Sequence, residues 1–138
     1  MKKTLFLFLI VLITVSCEDS TKDIKTKVVD LTVNSNEWIE SVDAAGLNRF
    51  YSCHFNMPEI TPAVFNSGTV TTYIEYTNPV SQQNLPVVRH FENAAGALWT
   101  QTIDYDYADG GMTIYVTNSD FVSDPPTGTM NFHVVLMW

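Results

Sequence analysis

Short segments in which apolar and polar residues alternate recur along this chain from Val28 to its last residue, Trp138. A two-residue period places successive side chains on opposite faces of a β-strand. The predicted strands cover residues 28–33, 37–42, 50–57, 69–77, 86–91, 98–107, 112–117 and 129–138. Many short strands separated by turn signals predict an all-β fold, an antiparallel β-sandwich of about seven or eight strands. A β-barrel is the alternative.

The alternation also predicts which side chains face the core. One strand turns inward the row Tyr51, Cys53, Phe55 and Met57. A later strand does the same with Trp99, Ile103, Tyr105 and Tyr107. The closing strand is apolar on both faces in its second half, which predicts an interior position in its sheet, partly covered on both sides.

Residues 59–68 predict one short connecting helix. Thr61 can cap its first turn, Pro62 suits the first helical position, and Gly68 can close its end. Asn78-Pro79 and the polar residues 81–84 are predicted to form a loop.

The first sixteen residues, 1–16, predict a secretory signal peptide. Lys2 and Lys3 give a positive start, and the apolar run 5–15 carries no charge. This run is too short to span a bilayer, since a spanning helix needs ~20 apolar residues. A basic start, a short apolar core and small residues before the cut are typical of exported proteins. A short membrane anchor that is never removed is the alternative.

Cys17 is the predicted lipid attachment site. Val15-Ser16-Cys17 resembles the lipobox of bacterial lipoproteins, in which a cysteine after a small residue receives a diacylglycerol and becomes the new N-terminus. The lipobox usually has Leu where this chain has Thr14, so ordinary cleavage nearby is the alternative. Several buried acyl chains, at ~0.8 kcal/mol per CH₂, anchor a protein stably. The sequence therefore predicts attachment to the membrane through lipid on Cys17.

Residues 17–27 are polar and charged, and we predict a flexible tether there, followed by a β-sandwich domain over 28–138. The acidic cluster just after Cys17 resembles the surface-export signal of Bacteroidota lipoproteins. We predict an outer membrane lipoprotein, with exposure on the cell surface favoured over an orientation toward the periplasm. A plain solvated tether would have the same composition.

The charge of the chain excludes two classes of partner. Its formal net charge is −8, and it becomes −10 when Lys2 and Lys3 leave with the signal. Nucleic-acid binding needs a basic surface, and docking on anionic lipid needs a polybasic patch. We therefore expect no nucleic-acid partner and no electrostatic docking on the bilayer.

Cys53 is the second of two cysteines and has no intramolecular partner if Cys17 carries lipid. Its place in an aromatic strand pattern predicts a buried core residue. The neighbouring His54 is badly placed to activate the thiol, because adjacent residues of a strand point to opposite faces.

Three acidic residues form the first candidate site. Asp104, Asp106 and Asp109 lie close together and are followed by Gly110-Gly111. Their spacing does not match an EF-hand loop, but Asp104 and Asp106 share a strand face and could bind Ca²⁺ with a neighbouring loop. A solvated strand face with a turn aspartate is the favoured interpretation.

Three histidines form the second candidate. His54, His90 and His133 all lie in predicted strands and lack a close ligand spacing. His54 and His133 would meet only on neighbouring strands. Zinc usually takes three or four ligands, so we expect no zinc site.

Two tyrosines form the third candidate. Tyr73 and Tyr115 occupy positions opposite the apolar rows of their strands. An exposed tyrosine face could stack on a sugar or form an interface. Ordinary strand tyrosines are the favoured interpretation, because aromatic residues are common in strands.

The sequence shows no common catalytic motif. It has no glycine-rich phosphate loop, no Gly-Xaa-Ser-Xaa-Gly nucleophile elbow and no His-Glu-Xaa-Xaa-His zinc motif. Spacing alone does not identify a pair of glycosidase carboxylates. We predict a protein that is not an enzyme and has no cofactor.

Between Trp38 and Trp138 the chain resembles small Bacteroidota lipoproteins with a β-sandwich-like domain, many of which place that domain after a collagen-like stalk. The similar segments are Asn36-Glu37-Trp38, Met57-Pro58-Glu59-Ile60-Thr61, Thr113-Ile114-Tyr115-Val116-Thr117 and Phe132-His133-Val134-Val135. No Gly-Xaa-Yaa stalk occurs in this sequence. The resemblance implies an anchored β domain, and it carries over neither an activity nor a catalytic residue.

These observations predict a lipid-anchored lipoprotein of the cell envelope that acts as a non-enzymatic surface binding or structural module. A carbohydrate-binding accessory lipoprotein is the first alternative, based on Tyr73, Tyr115 and the acidic face near Asp104. A small hydrolase that uses loop carboxylates is the second. The partner is expected to be a glycan or a protein.

Overall fold

The structure is a computed structural model that describes residues 23–78, 80–121 and 124–138. The predicted signal peptide 1–16 and the lipid attachment residue Cys17 lie outside the described residues. The elements, in chain order, are β1 (Thr26–Val33), β2 (Ile39–Val42), β3 (Arg49–Asn56), α1 (Pro62–Ser67), β4 (Thr69–Thr77), β5 (Val80–Asn84), β6 (Val87–Glu92), β7 (Leu98–Ala108), β8 (Gly111–Asn118) and β9 (Met130–Met137).

The strands form two antiparallel sheets. A four-stranded sheet has the order β1-β9-β4-β5, and a five-stranded sheet has the order β2-β3-β8-β7-β6. Their apolar faces pack against each other around a shared core. The predicted all-β fold and antiparallel β-sandwich are confirmed.

The core is built from the rows that the alternation predicts. Tyr51 and Cys53 are buried on β3, Met57 is buried directly after it, and Phe55 packs against the same core. The core has two adjoining clusters, one around Phe132 and one beside the helix. Because each strand turns every second side chain inward, both sheets contribute to both clusters.

Strand β9 occupies an interior position, as predicted. It pairs with β1 on one side and with β4 on the other. Phe132, Val134 and Leu136 point into the core and are fully buried, while Val135 is half-buried on the outer face. Both edges of β9 are therefore paired, whereas its outer face stays partly open to solvent, with Met137 37% exposed.

The predicted helix is present as α1. The Val64 amide donates to Oγ1 of Thr61 over 3.4 Å, and Pro62 occupies the first turn. The Gly68 amide donates to the Val64 carbonyl, which closes the helix. Val64 is buried in the core. In the part of the chain that the structure describes, no helix is long and apolar enough to cross a membrane.

Two sequence predictions need correction. The predicted loop 81–84 belongs to strand β5, which pairs with the second half of β4. All five residues of β5 are exposed at the sheet edge, so the strand has no buried face and no apolar alternation to mark it. Strand β1 starts at Thr26, inside the predicted tether, and Lys25 already exchanges backbone hydrogen bonds with Trp138.

The antiparallel pairing of β1 with β9 gives the sandwich two distinct ends. Thr26 pairs with Met137 at the end that also carries α1, and we call this the proximal end. Val33 pairs with Met130 at the other end, which we call the distal end. At ~3.3 Å per residue, the eight residues of β1 separate the two ends by about 23 Å.

Candidate functional site

A cleft of about 530 Å³ opens at the distal end, between the β6–β7 hairpin and the loop 124–128. We call it the Trp99 cleft. Phe91, Trp99 and Gln101 form its wall on the five-stranded sheet, and Met130 and the loop form the opposite wall. Its volume lies within the ~300–1,000 Å³ that small-molecule sites occupy.

Two aromatic rings dominate the first wall. Phe91 and Trp99 are cross-strand partners on β6 and β7. Their rings stack with centroids 4.5 Å apart and planes 16° from parallel. Trp99 lies on the inner face of its strand, as predicted, yet it belongs to neither core cluster and is partly exposed. The reason is that β9 begins only at Met130, so beyond this residue the facing layer is a loop.

Polar groups complete the cleft. The Gln101 amide donates from Nε2 to Oδ1 of Asn118 over 3.2 Å, and Asn118 is itself buried. This hydrogen bond holds the Gln101 amide in place on the sheet. Asp124 and Thr127 bring a carboxylate and a hydroxyl from the loop wall. The cleft therefore offers apolar ring faces beside groups that donate and accept hydrogen bonds.

A cation lies next to the cleft but does not line it. Arg89 is the cross-strand partner of Gln101, on the same face of the five-stranded sheet. Its guanidinium carbon lies 4.3 Å from the centre of the Tyr76 ring on β4. This cation–π contact joins the two sheets and directs the charge of Arg89 toward Tyr76.

Two further clefts share walls with the Trp99 cleft. One, of about 240 Å³, includes Leu98 and Ser119 together with Phe91 and Trp99, and we call it the Leu98 cleft. The other, of about 520 Å³, lies between Asn36 and the loop residues 124–127, and we call it the Asn36 cleft. Shared lining residues therefore connect the clefts in the order Leu98, Trp99, Asn36, and we call the three a row.

The tyrosine candidates do not form a common surface. Tyr73 and Tyr115 both point outward from their strands, as predicted, but Tyr73 is on the four-stranded sheet and Tyr115 on the five-stranded sheet. They therefore lie on opposite faces of the sandwich. The Tyr115 hydroxyl donates to Oδ2 of Asp106 over 2.8 Å, and Phe50 packs edge-to-face on its ring.

The acidic candidates divide between a strand and a turn. Asp104 and Asp106 lie on the outer face of β7, and Asp109 lies in the turn before β8. Burial, with a smaller contribution from the charge of Asp106, raises the pKa of the Asp104 carboxyl. Among the described residues, no three His, Cys, Asp or Glu side chains are grouped to hold a metal ion.

The histidine candidates are also separated. His54 lies on the outer face of the five-stranded sheet, where Nδ1 is 3.2 Å from Oγ1 of Thr113. His133 lies on the outer face of the four-stranded sheet, where Nδ1 is 2.7 Å from Oδ1 of Asp30. His90 is on β6 and lines the Leu98 cleft. The three histidines do not form a common site.

Cys53 is a buried free cysteine, as predicted. Burial, with a smaller contribution from the charge of Glu37, raises the pKa of its thiol. His54 is exposed on the opposite face of the same strand. The thiol is therefore held in its protonated, unreactive form.

Sequence reasoning missed the Trp99 cleft. A usable signal was present, because the hairpin loop 93–97 makes Phe91 and Trp99 cross-strand neighbours. Alternation assigned Trp99 to the core face but did not show that the core ends before it reaches this residue.

A comparison of the chain with protein-family models, curated proteins and solved structures finds no match in any of the three. The Trp99 cleft is therefore interpreted from its own chemistry and its place in the fold.

Proposed function

We propose that this chain is a lipid-anchored lipoprotein of the cell envelope that works as a non-enzymatic binding module, with the Trp99 cleft as its binding site. The observation that carries the proposal is the position of that cleft. It lies at the distal end, about 23 Å along β1 from the point where the N-terminal segment enters the fold. In a protein held through its N-terminus, the attachment point and this cleft therefore lie at opposite ends of the domain.

The anchoring part of the proposal rests on the sequence. A basic start, an apolar run too short to span the bilayer and a cysteine after Ser16 favour lipidation of Cys17. The eight residues from Cys17 to Ile24 can extend over at most ~28 Å. The acidic residues after Cys17 favour the outer face of the outer membrane, and a periplasmic orientation is the alternative.

The chemistry of the cleft supports binding. Among the described residues that line the Trp99 cleft, Asp124 is the one carboxylate and Thr127 the one hydroxyl, and neither histidine nor cysteine is present. A hydrolytic site usually contains a nucleophile and a base that activates it. Aromatic rings beside a few polar groups, here an amide and a hydroxyl, are typical of a ligand-binding site.

Intact-mass analysis of membrane-fraction protein, together with protease shaving of whole cells, tests the anchor. We expect a mass that includes acyl groups on Cys17 and cleavage from outside the cell. Cys17→Ala should release the protein from the membrane fraction, whereas Cys53→Ala should leave it there. An unmodified, soluble and protease-protected protein would contradict the proposal.

Activity assays on the pure protein test the non-enzymatic part. We expect no turnover of glycoside, ester or peptide substrates. Saturable hydrolysis that Asp124→Asn abolishes would show that the Trp99 cleft is an active site.

A further inference from the structure

The aromatic pair has ring surface free for a ligand. Each ring covers one face of the other, and both rings contribute to the walls of the Trp99 cleft and the Leu98 cleft. Phe91 is 37% exposed. An aromatic face carries a negative quadrupole and attracts weakly positive C–H groups. A pyranose ring presents axial C–H groups on its faces, so one face of the ring matches this surface.

The polar groups of the Trp99 cleft suit a ligand rich in hydroxyls. The Gln101 side chain carries hydrogen-bond donors and an acceptor, and the Thr127 hydroxyl can donate and accept hydrogen bonds. A sugar hydroxyl also donates and accepts, so one hydroxyl can bridge two such groups. Gln101 is held by Asn118, which reduces the loss of side-chain entropy when a ligand binds.

The charge of the three clefts disfavours an anionic ligand. Asp124 lies in the wall shared by the Trp99 cleft and the Asn36 cleft. Of the described residues that line the three clefts, none is lysine or arginine, and the whole chain has a net charge of −8. Like charges at a binding surface repel, so sulfated sugars and uronates are poor ligands here.

The direction of the row favours a sugar chain over a peptide. An extended peptide usually adds to the free edge of a sheet, where strand backbone groups pair with it. The row instead runs from the β6–β7 hairpin to the loop residues 124–127 and Asn36, so only its first part lies along an edge strand, β6. A ligand in this row meets side chains and loops, and it has to be a linear chain to reach all three clefts.

We infer that the ligand is a neutral linear oligosaccharide that crosses the distal end and stacks one pyranose ring on the Phe91–Trp99 pair. This inference rests on the proposed function, because it assigns a ligand class to the same cleft. One sugar occupies the Trp99 cleft, and its neighbours extend into the Leu98 and Asn36 clefts. Affinity should therefore rise with chain length from one sugar to several.

Titration calorimetry tests the inference on the mature chain carrying Cys17→Ala. The probes are mannohexaose, cellohexaose, xylohexaose and maltohexaose, with their shorter homologues, and oligogalacturonate as the anionic counterpart. We expect saturable binding of at least one neutral series, stronger for the hexamer than for the dimer. No binding of any neutral series at millimolar concentration would overturn the inference.

Matched variants locate the binding. Trp99→Ala should weaken it by about tenfold or more, since the loss of about 1.4 kcal/mol corresponds to tenfold. Trp138→Ala, which removes a partly exposed tryptophan at the proximal end, should leave affinity unchanged. Binding that survives Trp99→Ala would place the sugar elsewhere and overturn both the inference and the proposed site.

A second substitution keeps the test valid if Trp99→Ala disturbs folding. Asp124 is exposed on the loop, so Asp124→Lys should leave the fold intact. It should raise affinity for oligogalacturonate relative to the neutral hexamer. An unchanged preference would contradict the assignment of Asp124 to the sugar site. A peptide panel distinguishes a failure of the sugar inference from a failure of the proposed function. If the protein binds a peptide but no sugar, and Trp99→Ala abolishes peptide binding, the inference is overturned. The proposal that the Trp99 cleft is a binding site then stands.

Discussion

The hydroxyl of Tyr105 donates a hydrogen bond to the carbonyl oxygen of Val70, 2.9 Å away, and so joins the two sheets through the core. Tyr105 is on β7 of the five-stranded sheet, and Val70 is on β4 of the four-stranded sheet. Burial is the main reason that the pKa of the Tyr105 phenol is raised. A polar contact in this position specifies how the sheets align, because a shifted sheet would leave the hydroxyl without its partner.

Tyr105→Phe removes this hydrogen bond while keeping the ring. We expect the free energy of unfolding to fall by about 1 kcal/mol, which is the usual net contribution of such a bond. Urea denaturation checks the value. Tyr73→Phe, on the outer face of the other sheet, is the matched control and should change stability by less than ~0.5 kcal/mol. Equal losses in the two variants would argue against a special role for the intersheet bond.

Gly68 is the second target, because the backbone leaves no room for a side chain there. A Cβ at this position would lie 2.5 Å from the Met137 carbonyl oxygen and 2.8 Å from the Val64 carbonyl oxygen. We expect Gly68→Ala to destabilise the protein by about 1–3 kcal/mol, as overpacking does. Gly128→Ala is the control, since nothing lies within 4 Å of its Cβ. A thermal melt of Gly68→Ala that matches the wild type would contradict this reasoning.

The raised pKa of Asp104 gives stability a pH dependence. The folded state binds this proton more tightly than the unfolded state, whose carboxyl has the ordinary pKa of 3.8. The contribution is fully present below pH 3.8 and is lost as the pH rises through the folded-state pKa. We therefore expect Asp104→Asn to be more stable than the wild type at neutral pH and equally stable in acid.

Denaturation of Asp104→Asn at several pH values measures this difference. Asp109→Asn is the control, because it also removes one negative charge, but from a carboxylate that is exposed in the turn before β8. A stability gain that is the same at every pH would show that removal of the Asp104 charge is not its cause.

Cys53 should resist thiol reagents in the folded protein. The side chain is 9% exposed, and burial raises the pKa of its thiol, so little thiolate is available to react. With Cys17→Ala as background, Cys53 is the one remaining thiol. We expect slow labelling of the native protein and prompt labelling in denaturant. The control is Ser35→Cys combined with Cys53→Ala, which places the thiol in an exposed turn and should be labelled quickly. Rapid labelling of Cys53 in the native protein would contradict its assignment to the core.

Most of the fold could be predicted because burial imposes a period on the sequence. In strands with one face in the core, buried side chains alternate with more exposed ones along the sequence, as in β3 and β9. Strand β5 was missed because it lies at a sheet edge with every residue exposed, so no side chain of β5 has to be apolar. Its position depends on hydrogen bonds to β4, which composition does not record.

The candidate site was harder to predict, because sequence alternation gives the face of a strand but not the sheet to which the strand belongs. Tyr73 and Tyr115 both face outward, yet their strands lie in different sheets. The same limitation applies to Trp99, whose inward position was predicted. Whether an inward residue is buried depends on how far the strands of the opposite sheet extend, and here β9 begins only at Met130.

The pairing of β1 with β9 determines how the domain responds to force. Eight register pairs join the two strands, from Thr26 with Met137 to Val33 with Met130. A pull on Lys25 away from the distal end acts along β1, so these pairs are sheared together and share the load. A pull that separates Lys25 from Trp138 would instead open them one after another. If the N-terminus is anchored and the Trp99 cleft holds a ligand, as we propose, a pull on that ligand loads the domain in the first direction, in which the pairs share the load.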